Sequence, residues 1–374
     1  MNIQQISWHP NQGWDKETNF QENSELVLVF ADNDFFYEER CYQDLRSFYP
    51  HADIVGCSSA GNIRNLKISD NDLTVLALKL DKSSIKTQGI EISEGQDLQQ
   101  ILNDSFAQFP KEGLRHCFVI TDGLDINATD LANSLSLNIQ SITITGGLAG
   151  DSDRFSKTGV MFNGPAKINQ VVLVGFYGAI QITTGFSTGW TEFGAERRVT
   201  RSEKNTVYEL DHEPALHVYK RYLGELANQL PSSGLRFPLS IRRTEKEAPI
   251  IRTLLGVNAE KNSLTFAGDI PEGSYARLMK TNIDSLLDST QEKIFGIKKS
   301  HPSQQGLCLI VSCVGRRLVL DQISEEEIEL IATELGDGFR LSGFYSYGEF
   351  ASYNLESCQL HNQTATITLL SEDE

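Results

Sequence analysis

One order of elements recurs three times along this chain, and a repeated α/β unit confines the fold to packings of several copies of that unit. In the first copy an apolar run over 26–30 ends in the polar tip Ala31-Asp32-Asn33-Asp34. Tyr37, Cys41, Leu45 and Phe48 follow at the i, i+4, i+8, i+11 spacing of one buried helix face. A strand at Ile54-Val55 enters the small-residue loop 56–62, and a third strand over 73–80 closes the unit. The second copy runs from a strand over 117–121, tipped by Asp122-Gly123-Leu124-Asp125, to a helix stripe of Ala128, Leu131, Ala132 and Leu135. Its second strand, 142–145, enters the loop 146–151, and 171–176 closes it. In the third copy 307–311 ends in Ser312-Cys313-Val314-Gly315-Arg316, and Ser324 with Glu327 reads as a capping box opening a helix of Ile328, Ile331 and Leu335. Leu341-Ser342 then enters the loop 343–349, and 365–370 closes the unit. In register, the loops align Gly61-Asn62, Gly150-Asp151 and Gly348-Glu349.

Between the second and third copies the pattern changes. Runs over 180–184, 199–202 and 206–209 read as strands, and Glu213-Pro214 opens a helix with Leu216, Tyr219, Leu223 and Leu226 on one face. Further strands over 237–242, 250–255, 263–267 and 275–279 are joined by short polar turns at 258–262 and 269–273, the pattern of an antiparallel meander. Asn282 caps a helix with Ile283, Leu286, Leu287 and Ile294 inward, and 300–305 reads as a polar linker. The expected fold is α/β with mixed α+β sheets: strand–helix–strand–glycine loop–strand units in two halves, 1–180 and 181–374, with the meander in the C-terminal half.

Composition narrows the partners. The chain carries 33 basic and 50 acidic residues, a formal net charge of −17, and such a surface repels nucleic-acid phosphates and anionic lipid heads. No apolar stretch reaches the roughly 20 residues of a membrane helix. The N-terminal ten residues lack a signal pattern, so a cytoplasmic protein without membrane insertion is expected. Six cysteines, at 41, 57, 117, 308, 313 and 358, form no Cys-x-x-Cys pair and read as reduced thiols.

Enzymatic motifs are missing. Residues 56–60 are not Gly-x-Ser-x-Gly and lead into a strand rather than a helix. Residues 146–150 lack the Gly-x-Gly-x-x-Gly spacing and its following helix. Nucleophilic use of Cys57 or Cys313 needs a lowered thiol pKa and a nearby base, and the sequence displays neither. A non-enzymatic protein is expected. Polar tips at strand ends, Thr121-Asp122 and Ser312-Cys313 among them, lie at the edge where open α/β sheets bind ligands; the same side chains serve equally as helix caps. Arg252 interrupts an apolar strand: it either snorkels outward or, with Arg316, offers a fork of donors suited to a carboxylate. His217 reads as solvated beside Lys220 and Arg221, and His361 as the partner of a loop carbonyl.

Taken together, the motifs 56–61, 146–151, 312–316, 343–349 and 360–364, with Tyr208 through Leu216, Tyr219 and Tyr222-Leu223-Gly224, resemble FIST-domain proteins over nearly the whole chain. Asn62 stands where that family usually has an acidic residue, and His212 where glycine is common. The resemblance implies a sensory protein, similar to standalone members that bind haem, sense nitric oxide and regulate a separate histidine kinase or cyclic-di-GMP protein. Under that reading His361, then His217, are the axial candidates, with no metal besides the haem iron. The alternative is a haem-free binding module for a small carboxylate such as an amino acid, clamped by Arg252 or Arg316. Ligand contacts are expected from the loops of both halves: Gly56, Cys57, Ser58, Ser59, Thr121, Asp122, Gly146, Gly147, Asp151, Ser312, Cys313, Tyr345, Tyr347 and Glu349. The competing reading gives these glycines to tight turns and the tyrosines to the core.

Overall fold

A computed structural model describes residues 1–15, 22–93, 96–152, 154–354 and 357–372. Each repeat builds the same three-strand kernel. Leu26–Ala31 pairs in parallel with Asp53–Ser58 and antiparallel with Leu73–Lys79. Leu114–Thr121 stands likewise between Thr143–Leu148 and Gln170–Gly178, and Gly306–Cys313 between Phe339–Ser346 and Ala365–Glu372. A parallel pair needs a crossover, supplied by the helices Glu39–Phe48, Ala128–Asn138 and Ser324–Leu335. Within each kernel strand, alternate side chains go to opposite faces. Leu28 and Phe30 enter a central core with Phe118, Ile120, Leu309 and Val311, where the inner faces of all three sheets meet. Val27 and Val29 pack outward under the first helix. Burial on both faces is why these strands read as unbroken apolar runs.

The three sheets are not self-contained. After its glycine loop, each repeat passes the next short strand to a neighbour's sheet. Asn62–Arg64 pairs with Phe339–Ser346, Val160–Phe162 with Asp53–Ser58, and Glu349–Asn354 with Thr143–Leu148. The exchange is cyclic: first repeat to third, second to first, third to second. The loops therefore meet at one junction, where Gly150 N donates to Ser58 O, Ala60 N to Tyr345 O, and Leu148 N to Gly348 O.

One glycine recurs for a reason internal to the sheets. Gly56, Gly146 and Gly343 stand opposite Val29, Val119 and Ile310 on the paired parallel strand. A Cβ at Gly56 would lie 2.6 Å from Val29 O, and at Gly146 and Gly343 it would fall on the carbonyl oxygens of Val119 and Ile310. These positions admit the neighbouring strand's backbone rather than a ligand.

The region between the second and third repeats is an eight-stranded antiparallel sheet that wraps the helix Ala215–Leu223. Val199, Val207, Leu216, Tyr219, Leu264 and Leu278 form its separate core. Four local expectations change. Leu226 lies beyond the end of its helix, within the 3-10 turn Gly224–Gln229, and is exposed, as is Ile283 at the first position of its own helix. The strand expected over 250–255 is two, Ile250–Arg252 and Leu254–Asn258. The linker expected at 300–305 starts late: the helix Ile283–Ser300 runs into it, and the His301 that follows is buried against Thr183 and Ser371. The capping box does not form, since Ser324 Oγ donates to Asp321 O at 2.7 Å and Glu327 turns inward to meet Arg316.

Candidate functional site

The aligned polar residues of the three loops are buried and hold the junction together. Asn62 Oδ1 accepts from Ser59 Oγ at 2.7 Å, and its Nδ2 donates to Asp72. Asp151 accepts from Tyr347 OH, Lys157 N, Ser156 N and Ser156 Oγ. Burial alone would raise its pKa, but these bonds outweigh burial and hold the carboxyl below its ordinary value. Glu349 accepts from Ser346 Oγ at 2.6 Å and Thr364 Oγ1 at 2.8 Å, yet complete burial pushes it up to about 8. Asp122 serves as a turn acceptor for Leu124 N and Asn169 N, while Asn127 caps the helix behind it. Thr121 and Ser312 are buried with unpaired hydroxyls, and Tyr345 is fully enclosed. A cavity of about 190 Å³ opens between Ser58 and Ser59 of the first loop and Gly150 and Asp151 of the second. The wall of Gly147 faces Val311 and the Gly348 carbonyl.

Arg316 is not available to a ligand. Its Nε and Nη2 donate to Glu327 Oε1 at 2.8 and 2.6 Å, with Thr188 O, Leu286 O and Thr290 Oγ1 taking further bonds. The carboxylate that it was expected to clamp is its own neighbour in the chain. Cys57 and Cys313 are also enclosed, and burial pushes both thiols far above their ordinary range.

The larger cavities lie elsewhere, in a cleft between the meander and the helix Ala128–Asn138 with the strand Ser357–His361. Two adjoining spaces of about 440 and 290 Å³ share Thr129, Asp269 and Leu360 in their walls. Arg252 faces the larger one from the edge strand of the meander and is 2% exposed. Its Nε donates to Asp269 O at 3.2 Å, and its Nη1 to Leu360 O at 2.9 Å and Ile251 O at 3.2 Å. Among the described residues Nη2 makes no hydrogen bond and no carboxylate lies within ion-pair distance of the guanidinium. Burial lowers the group to about 10; Asp269 opposes that shift, and Arg243 on the same cavity adds to it by repulsion. Charge is distributed to match: residues 191–280 hold 14 basic and 12 acidic residues, against 19 and 38 in the rest of the chain. The meander side of the cleft is thus close to neutral within an acidic protein.

A haem iron needs a histidine facing an apolar slot. His217 lies exposed on its helix. His361 is buried, its ring 4.5 Å from Phe186 and its Nε2 unpaired, and burial with the nearby Arg252 lowers it to about 3. Neither histidine lines the cavities of about 440, 290, 210 or 190 Å³.

The buried titratable groups set a pH profile. His116, enclosed between Thr143 Oγ1 and Thr145 Oγ1, is lowered by burial to about 3, as is His361. Their unfolded forms take up protons below about 6.5, so each removes stability as pH falls from there toward 3, by up to about 1.4 kcal/mol per unit. Glu349 acts oppositely. Its folded form keeps a proton up to about 8, while the unfolded carboxyl loses it near 4.5, so stability drains as pH rises between these values. Melting temperature is expected to peak near about pH 6.5 and fall on both sides, and Glu349→Gln should flatten the alkaline limb. A flat profile between pH 5 and 8 would contradict this assignment.

The residues that sequence reasoning missed here are Thr129, Gly268, Asp269 and Leu360. Each sits on a helix, turn or strand end of ordinary composition, so only their convergence on Arg252 marks them. An α/β scaffold with an enclosed cation at the wall of a cleft of about 440 Å³ has the form of a ligand-binding module. The FIST N domain matches residues 25–213 and the FIST C domain residues 215–352; the chain belongs to the FIST family, whose domains are sensory, ligand-binding modules. An uncharacterized protein of Methanocaldococcus jannaschii is 25% identical over 312 residues, covering 77% of this chain. The match spans 59% of that relative's length.

Proposed function

We propose that this protein is a non-enzymatic sensor that binds a small carboxylate in the cleft between the helix Ala128–Asn138 and the meander, and that occupancy is read by a separate signalling protein. The observation carrying this is Arg252: a buried guanidinium with three carbonyl partners and, among the described residues, a free Nη2 and no carboxylate within ion-pair distance. A desolvated cation without a counter-ion is costly, and an anion entering the cavity restores its partner. The free Nη2 offers a charge-assisted hydrogen bond to one anionic oxygen, which a small carboxylate supplies. Family membership supports the sensory role, and the resemblance to standalone members supports a histidine kinase or cyclic-di-GMP protein as the reader.

The test is a thermal-shift panel of mono- and dicarboxylates on the purified chain, which is expected to be colourless. A ligand at a hundred times its Kd should add about 2.7 kcal/mol of stability. Arg252→Gln should weaken that ligand by 10- to 100-fold, roughly the loss of one charge-assisted pair. A flat panel would sink the proposal. So would a stoichiometric Soret band from protein expressed with haem, which would restore the haem reading instead.

A further inference from the structure

Behind the cleft lies a polar side chain with nothing to do. Asn362 is 0% exposed, and neither atom of its amide meets a hydrogen-bond partner among the described residues. A buried amide left unpaired at both ends loses its hydration without compensation, so it marks either a bound water or a ligand position. Its surroundings favour the ligand. A Cβ placed on Gly348 would stand 3.3 Å from Asn362 Nδ2, 2.9 Å from Leu360 Cδ1 and 3.4 Å from Leu148 Cδ1. Leu148 and Leu360 both line the 290 Å³ cavity. On the other side, a Cβ on Gly268 would stand 3.0 Å from Leu360 Cδ2 and 2.8 Å from Arg252 Nε. One isobutyl group, held between two glycines, therefore separates the Arg252 guanidinium from the unpaired amide of Asn362.

The geometry points to Asn362 as the specificity-determining residue of the carboxylate site, reached when the Leu360 side chain swings aside. The ligand class is a short carboxylate whose far end carries both a donor and an acceptor, as a primary amide does. Its carboxylate takes Arg252 Nη2, and its amide pairs reciprocally with the amide of Asn362. Glycine at 268 and 348 leaves Leu360 free of the Cβ contacts that would pin it. This inference rests on the carboxylate reading above.

Two isosteric probes separate the possibilities: succinamate, which has the amide, and 4-methylpentanoate, which has an isopropyl group in its place. On the full chain, calorimetry should find succinamate bound about tenfold more tightly, the effect of satisfying one otherwise unpaired buried group. Asn362→Leu should abolish that preference while leaving 4-methylpentanoate unchanged, and should raise the ligand-free melting temperature by removing the unpaired amide. Leu360→Ala, which deletes the partition, should tighten succinamate and provides the measurement if Asn362→Leu does not fold. Equal affinity for the two probes, or a preference that survives Asn362→Leu, overturns the inference and leaves Asn362 to a structural water. If both probes bind through Arg252 without discrimination, only this inference fails. If no carboxylate binds at all, the function proposed above fails with it.

Discussion

Glu327→Ala is expected to cost about 3–5 kcal/mol of folding stability, the range for stripping one partner from a buried ion pair. Arg316 and Glu327 are 0% and 1% exposed, and Glu327 Oε1 takes two of the guanidinium's bonds. The remaining donors are spent on Thr188 O, Leu286 O and Thr290 Oγ1, which tie the third repeat to the long helix Ile283–Ser300 and to the start of the meander. Without the carboxylate, a full positive charge stays in a site that water does not reach. Glu327 Oε2 has no partner of its own among the described residues, so the pair is imperfectly satisfied even when intact. The double replacement Arg316→Met with Glu327→Leu should therefore cost much less than the single one. Urea denaturation of the three variants measures this as a double-mutant cycle. A Glu327→Ala penalty under about 1 kcal/mol would show that the pair is solvated in solution.

Gly343→Ala should be at least as damaging, with a cost of about 4 kcal/mol or more and a marked loss of folded yield. The new methyl group would collide with the Ile310 carbonyl, which belongs to a central strand packed on both faces, so no flexible side chain can move to make room. Gly146→Ala meets the same obstacle at Val119, in addition to a φ of +145°. Gly56→Ala should be milder, its Cβ standing 2.6 Å from Val29 O. Gly296→Ala is the control. Nothing lies within 4 Å of its Cβ, and within a helix that exchange should stabilise by up to about 1 kcal/mol. Melting temperatures lowest for the Gly146 and Gly343 variants, higher for Gly56 and highest for Gly296 would bear out the packing role of the recurring glycine. Near-native stability of Gly343→Ala would leave that glycine without a steric reason.

Much of the architecture was legible in the chain because it is written in local periodicity. Alternation and helical stripes placed the three kernels, and the polar turns placed the meander. The strands Leu26–Ala31, Leu114–Thr121 and Gly306–Cys313 that begin the kernels contain the expected runs 26–30, 117–121 and 307–311. The capping box at Ser324 failed for a nonlocal reason: Glu327 has a stronger partner in Arg316 than the backbone amide three residues before it. The two arginines show the same limit at the site. Arg252 interrupts an apolar strand, Arg316 follows a polar strand tip, and both were candidates for a carboxylate. Arg316 finds one eleven residues away in its own chain, whereas Arg252 finds only carbonyls.

The sequence by itself determined the repeated units, their strand and helix content, and the polar residues that close each glycine loop. These depend on side-chain spacing over a turn or a strand, and every residue involved is a near neighbour. Only the tertiary structure decided which sheet receives each exchanged strand, since three similar loops offer similar backbone edges and the choice is made by pairing across the molecule. It also decided which of the two arginines meets no carboxylate among the described residues. Burial and pairing are properties of the surroundings, and the groups that meet Arg252, at Asp269 and Leu360, come from segments that no local pattern joins.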